Sequence, residues 1–339
     1  MVLKELKKAL EEKIQQTLQE ILISSRAGGK LKGSDEFKEF CLRKGKRIRP
    51  LLFILSYLGH SGHDIDQPVP PDVLKSAAGL ELLHTFAIIH DDLLDNSTIR
   101  RHGPTLQHAL NNRHVSLIET RNRSIIWGDL LYAGAIRMFS SIQVPSQHVN
   151  QAVEFILKVS ERTCTGQLLD VSNNSETTKN WSLFEMMRFY DLKTALYSFA
   201  CPLVSGAILA GAESEIFLAL YKAGLYLGRA FQILDDISEI PSNKKSISNS
   251  TLQSQVTLWS DFDNNRPTIL FWHSPQKWTN KKDPVEVINS LNESGSLAFA
   301  EELLRNNIRK GLRELGESRM KKVYLQNIEL LLKSLFKDS

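Results

Sequence analysis

Cysteine is scarce in this chain. There are three, Cys41, Cys164 and Cys201, an odd number with no C-x-x-C spacing. With no secretory signal in front of them, they point to free thiols in a reducing cytoplasm. The first residues alternate Lys and Glu, which fits neither a signal peptide nor an acid-poor transit peptide. Excess charge is small too, a formal +4 over 339 residues, and the cations near the informative motifs stand singly. That excludes the basic stripe of a nucleic-acid binder. No Gly-x-x-x-x-Gly-Lys-Ser/Thr sequence occurs, so a Walker phosphate loop is excluded. Strand-like alternation is nearly missing, and no linker separates two cores, so a single domain over 1–339 is expected. The longest apolar run, 195–212, has transmembrane length but contains Pro202 and several small residues. It reads as buried helix with a break at the proline and not as a membrane span.

What is present is helix. Hydrophobic residues make up 42% of the chain and charged residues 24%, enough for a sizeable core. An amphipathic helix is expected within 1–26, closed by Ala27-Gly28-Gly29, and a short one over 35–43. Residues 45–50 break the pattern, and an apolar helix follows over 51–58. A proline-rich loop then leads to a long helix with Asp72 as its expected N-cap. Further helices are expected over 124–140, 147–170, 182–200, 203–209 and 213–239, and again from Asp283-Pro284 onward. A polar tract over 241–256 is expected to be a mobile loop. The fold class is all-α, a large helical bundle with short connections.

Two stretches carry chemistry. His90-Asp91-Asp92-Leu93-Leu94-Asp95 closes the long apolar helix, and at about 100° per residue Asp91 and Asp95 share one line with Asp92 on the flank. Asp235-Asp236-Ile237-Ser238-Glu239 repeats those three spacings after another apolar run. A lone cluster of this kind is ordinarily a solvated acidic face. Carboxylates gathered on one face repel each other unless a cation joins them. Recurrence on a second helix points to two cradles for Mg2+, which takes a few carboxylates, waters and substrate phosphates. The substrate is therefore expected to carry phosphate.

Cations stand near both clusters. Arg100 and Arg101 follow the first, and a guanidinium fork suits phosphate oxygens. Lys46 and Arg49 flank the entry to a helix, where the N-terminal dipole favours an anion. His84 lies two turns before Asp91 on the same face, where packing and ligation are equally good explanations. Glu81 and His84 match the E-x-x-H of di-iron bundles, but that site needs a second copy and the chain has none. Gln232 lies one turn before Asp235, facing the same way, and Lys193-Thr194 opens an apolar run.

Taken in order, Gly45-Lys46-Arg47-Ile48-Arg49-Pro50, the stretch from Leu83 to Asp95, Arg100-Arg101-His102-Gly103-Pro104-Thr105, Gly128-Asp129, Gly166-Gln167, Lys193-Thr194 and Phe231-Gln232-Ile233-Leu234-Asp235-Asp236 are similar to the motifs of the trans-type isoprenyl diphosphate synthases. The resemblance runs from Gly45 to about Leu270. It implies an all-helical homodimer with a central cavity between the acidic helices. It implies head-to-tail condensation of an allylic diphosphate (dimethylallyl, geranyl or farnesyl) with isopentenyl diphosphate. Three Mg2+ ions bridged by diphosphate are implied as cofactors, on Asp91, Asp92 and Asp95 and on Asp235. Arg100, Lys193, Thr194 and Gln232 would contact the allylic diphosphate, with Lys193, Gln232 and Arg100 closest to the chemistry. Lys46, Arg49, His84 and Arg101 would hold isopentenyl diphosphate.

Three departures from the family pattern stand out. The second cluster ends in Glu239 rather than Asp. Asn265-Arg266-Pro267-Thr268 replaces Gly-Lys-x-Thr. No lysine precedes Asp261 within 256–260. The rival readings are a class I terpene cyclase, which needs no isopentenyl diphosphate site, and a subunit of a heteromeric synthase. Ala87 and Phe86 occupy the positions that often floor the product cavity in this family. One bulky ring there resembles enzymes that stop at twenty carbons, with fifteen as the alternative. Leu83 or a residue on a facing helix is a rival floor.

Overall fold

The computed structural model describes residues 2–25, 31–111, 115–174, 176–238, 240, 266–275 and 284–336. Expectations placed on Arg26, Ala27-Gly28-Gly29, Glu239, 241–256, the 256–260 gap, Asp261, Asn265 and Asp283 fall outside those residues. The regular elements of the described residues are helices apart from one hairpin of two two-residue strands. It gathers into two compact units, each built from separate stretches: Met1–Phe155 with Pro202–Glu213 and Met320–Leu331, and Ile156–Cys201 with Ser214–Arg319 and Leu332–Ser339.

In the first unit, α1 (Val2–Ser24) buries Leu6, Leu10, Ile14, Leu18 and Ile21, a stripe at three- and four-residue spacing. It lies against α4 (Pro71–Leu94). Between them come α2 (Ser34–Leu42) and α3 (Ile48–His60), the latter buried on nearly every side. The expected break at 45–50 is shorter than predicted, because Arg49 and Pro50 belong to the first turn of α3. Proline is tolerated there, since first-turn N–H groups have no partner within the helix. Pro70, not Asp72, occupies the N-cap of α4, and Pro71 is its first residue. Asp72 is the second, and its carboxylate accepts from the Gln143 backbone N–H at 3.3 Å.

Beyond α4, strands β1 (Ile99–Arg100) and β2 (Gly103–Pro104) pair antiparallel, and the short α5 (Leu106–Ala109) follows. The next helix, α6 (Leu117–Ser140), begins well before the expected residue 124, because the Ser116 hydroxyl caps it by accepting from the Glu119 N–H. It runs beside α4. The first part of α7 (Ser146–Ser172) and most of α9 (Cys201–Leu209) belong here, and Ser56 Oγ donates to Leu203 O at 2.6 Å.

The second unit is centred on α10 (Phe217–Ser238). A capping box of Ser182 and Glu185 starts α8 (Leu183–Tyr190), which runs directly into a π-helix over Asp191–Ala200. The expected break at Pro202 does not occur. Cys201 N–H still bonds five residues back, to Leu196 O, and the proline, which has no N–H, comes next. One face of α10 lies on the π-helix so closely that a Cβ on Gly228 would sit 2.3 Å from Ala195 Cα, and one on Gly224 the same distance from Ala200 Cα. The four-residue step of an α-helix is thus matched to the five-residue step of a π-helix. On α7, a Cβ at Gly166 would stand 2.6 Å from Lys193 N. The unit also contains α11 (Ile269–His273), α12 (Pro284–Glu293) and α13 (Ser296–Gly316), and α13 packs along α10. The last helix, α14, is Lys322–Leu335. The continuous helical run Leu183–Leu209 is long and apolar enough to cross a membrane, but 89% of its most apolar window is buried within the protein, as in a core helix.

Candidate active site

The first set of predicted residues comes together in the first unit. Helix α4 ends at Leu94, so Asp95 is its C-cap and Asp91 lies one turn earlier, with Asp95 N–H bonded to Asp91 O at 2.9 Å. Both are part-exposed. Asp92 does not share their outlook. It is buried, and its Oδ1 accepts from Arg100 Nε at 2.7 Å and lies 2.5 Å from Nη2. Burial pushes the Asp92 carboxyl up to about 6 against the opposing pull of Arg100. Its Oδ2 is buried with no hydrogen-bond partner.

Arg100 and Arg101 diverge because of the hairpin. Arg100 ends β1, while Arg101 and His102 form the turn with φ of 50° and 63°. Two left-handed residues give the turn that matches strand twist, at a cost for side chains other than glycine. Arg43 clips the hairpin shut, its Nη1 donating to Arg100 O at 3.0 Å and Pro104 O at 2.7 Å.

Arg101 turns to a different neighbourhood from Arg100. Its guanidinium donates to Arg43 O at 3.4 Å and lies 3.8 Å from Glu81 Oε1. Glu81, with a side chain 2% exposed, also accepts from Arg47 Nη1 at 2.5 Å. The Glu81-x-x-His84 pattern is therefore an anchor for arginines and not half of a di-iron site. Arg47, itself left-handed at φ 56°, buries its whole side chain and reaches Glu11 on α1 as well. Burial works against its charge, but Glu11 and Glu81 outweigh that and raise its pKa. His84 sits in the field of Arg49, Arg101, Arg100 and Arg47. Burial first, and those four cations after it, hold the imidazole well below its usual pKa, so it is neutral. Lys46 is exposed and Arg49 part-exposed at the start of α3. The result is a cluster of arginines around one neutral imidazole, a charge arrangement suited to a strongly charged anion.

The second set lies in the second unit. Lys193, on the π-helix, donates to Asp170 Oδ1 at 2.9 Å, and Arg266 pairs with the other oxygen of the same buried carboxylate. Arg266, the residue that replaces a lysine of the family pattern, thus places its cation beside Lys193. Thr194 Oγ1 donates to Gln232 Oε1 at 2.6 Å, and Gln232 Nε2 donates to Asp236 Oδ1 at 3.0 Å. Gln232 therefore faces inward with Asp236, not outward with Asp235 as its spacing suggested. Asp236 also accepts from Tyr190 Oη and from the Ile269 N–H, which fastens the end of α10 to the start of α11. Asp235 is exposed.

Among the described residues, no group of three or more His, Cys, Asp or Glu side chains could hold a metal unaided. That is compatible with Mg2+, which one or two carboxylates and a substrate phosphate can share. In the first unit the part-exposed Asp91 and Asp95 and the unpartnered oxygen of Asp92 suit such an ion, and in the second unit the exposed Asp235 suits another. Sequence reasoning gave no role to Glu11, Arg43, Arg47 or Tyr190, and it singled out Glu81 only for the di-iron pattern. It stopped at Gly166-Gln167, one helical turn short of Asp170.

The profile of the polyprenyl synthetase family matches residues 34–302. A geranylfarnesyl diphosphate synthase from Natronomonas pharaonis is 28% identical over 296 residues, 80% of each chain. A heptaprenyl diphosphate synthase component 2 from Bacillus subtilis is 30% identical over 219 residues, 63% of this chain and 56% of that protein. The crystal structure of the geranylgeranyl pyrophosphate synthase from Corynebacterium glutamicum, complexed with isoprenyl diphosphate and magnesium, superposes with a TM-score of 0.80 over 97% of this chain and 99% of that one. At 23% identity, that likeness is one of fold. With the fold, the motif residues and the profile in agreement, the chain belongs to the polyprenyl synthetase family and is a prenyl diphosphate synthase.

Proposed function

We propose that this chain condenses an allylic diphosphate with isopentenyl diphosphate, as a homodimer in the cytoplasm, and that its main product is geranylgeranyl diphosphate. The observation that carries the reading is the presence of two separate cationic sets, Arg49 and Arg101 near His84, and Lys193 with Arg266 on Asp170. Two diphosphates call for two such sets, whereas a cyclase ionising one diphosphate has no use for the first. Leu117, Ile118 and Ile126 leave an exposed apolar strip on α6, with Ile118 73% exposed, which supports a second copy of the chain.

Mg2+ would be held by Asp91 and Asp95, assisted by Asp92, and by Asp235, and when bound it offsets charge on the leaving diphosphate. Arg100 turns from Asp92 to the allylic diphosphate, and Lys193 meets it as a point charge. Thr194 and Gln232 hold each other, and the second N–H of the Gln232 amide remains to donate to substrate. Lys46, Arg49 and Arg101 grip isopentenyl diphosphate, while the neutral His84 donates a hydrogen bond without adding charge. Apolar side chains keep water from the allylic cation once its C–O bond breaks. The alkene of the second substrate then forms the new C–C bond, and the departing diphosphate takes the proton.

Turnover measured with and without isopentenyl diphosphate, on the purified chain alone and with a candidate partner subunit, tests the reading. Product without isopentenyl diphosphate would indicate a cyclase. Activity only with a partner would place the chain beside the Bacillus component. Arg101→Ala is expected to raise KM chiefly for isopentenyl diphosphate, and Arg100→Ala chiefly for the allylic substrate. Equal effects on both constants would defeat that division.

Product length is tested at Phe86. Its ring lies 4.6 Å from that of His90 and 5.1 Å from that of Tyr132 on α6, so the floor position is braced by the neighbouring helix. Phe86→Ala is expected to lengthen the product, read by chromatography of the dephosphorylated alcohols. Truncating a packed phenylalanine also costs about 3–5 kcal/mol, so melting is followed in parallel. An unchanged product from the folded variant would move the floor to Leu83 or elsewhere.

A further inference from the structure

We infer that Glu11, on the N-terminal helix α1, is a positioning residue for isopentenyl diphosphate. The inference rests on the assignment of Lys46, Arg49, His84 and Arg101 to that substrate. Helix α1 lies outside the residues matched by the family profile, 34–302. Glu11 nevertheless takes two edges of a guanidinium inside the basic motif, with Arg47 Nε at 2.9 Å from Oε1 and Nη2 at 3.0 Å from Oε2.

Arg47 and Arg101 share two acceptors. Glu81 Oε1 lies 2.5 Å from Arg47 Nη1 and 3.8 Å from Arg101 Nη2. The Arg43 carbonyl lies 2.8 Å from Arg47 Nη2 and 3.4 Å from Arg101 Nη1. Arg47 has no exposure to water, so every N–H it carries must find a protein acceptor. Glu11 supplies two of them. Without Glu11, Arg47 draws harder on Glu81 and on Arg43 O, the groups that also orient Arg101. Arg47 also holds a left-handed backbone, φ 56°, in the same short stretch as Lys46 and Arg49. The side chain of Glu11 is itself 33% exposed, so its loss leaves the core of α1 intact.

The experiment is Glu11→Gln in the full chain, with KM and kcat measured for each substrate and melting followed by circular dichroism. KM for isopentenyl diphosphate is expected to rise roughly tenfold, the scale of one charge-assisted hydrogen bond. KM for the allylic substrate and kcat at saturation should stay at parental values. A proportionate change in both Michaelis constants, no change, or a lower KM from the added positive charge would overturn the inference. Arg101→Ala separates the two levels of argument. If it too leaves KM for isopentenyl diphosphate unmoved, the substrate assignment fails; if it raises KM and Glu11→Gln does not, only the role of Glu11 fails. Should Glu11→Gln not fold, Arg47→Lys keeps the charge, loses the fork and must show the same selective rise.

Discussion

Alanine in place of Asp91 or Asp235 is expected to lower turnover by orders of magnitude while the fold survives. Asp91 is part-exposed and Asp235 exposed, whereas the adjacent Asp92 and Asp236 are buried. Substitutions at such sites ordinarily shift stability by no more than about 0.5 kcal/mol. On the proposed reading each would remove a metal anchor and, for Asp91, relieve repulsion from Asp92 and Asp95. Asp236→Ala provides the contrast, since that carboxylate joins Tyr190, Gln232 and the Ile269 N–H inside the second unit. It should lower both melting and activity. Mg2+-dependent turnover read beside thermal unfolding separates the two behaviours. Near-normal activity in either Asp91→Ala or Asp235→Ala would remove that residue from the metal site.

Glu81→Ala is expected to cost about 3–5 kcal/mol of stability, the usual penalty for stranding a buried charge. Arg47 would keep Glu11 but lose its buried partner, and Arg101 would lose a carboxylate neighbour. Replacing both members, Glu81→Leu with Arg47→Met, should recover much of that loss, because buried pairs are often no more stabilising than apolar groups of similar size. Urea unfolding of the parent, the single variant and the double variant measures it. A single variant that unfolds with the parent would show that water reaches Arg47.

The helices were legible because burial imposes a period. The stripe on α1 and the apolar run before Asp91 need no knowledge of partners. Single residues within that period were not legible. Proline at 50 and 202 reads as a break in a list of residues, yet each falls where its missing N–H costs little. The motif side chains were legible as a set, but not their outlook. In both acidic clusters the second aspartate, Asp92 or Asp236, is buried while the first keeps some exposure. Adjacent helical positions differ by about 100°, and only packing decides which of them meets the interior. The supports were least visible. Arg47 meets Glu11 and Glu81 across 36 and 34 residues, and Arg266 meets Asp170 across 96. No local period reports a pairing made across such distances.

The seam between α10 and the π-helix inverts a common rule of protein engineering. Glycine inside a free helix is about 1 kcal/mol worse than alanine, so Gly224 and Gly228 look like easy targets for thermal improvement. Here a methyl on either would collide with the opposite main chain. Deleting one residue from the π-helix to restore ordinary α spacing would be equally harmful. The alanines on one side would lose step with the glycines on the other, and the turn bearing Lys193 and Thr194 would rotate away from Asp170 and Gln232. The wide turn and the two missing methyls are one device, and a programme that optimises each helix in isolation would dismantle it.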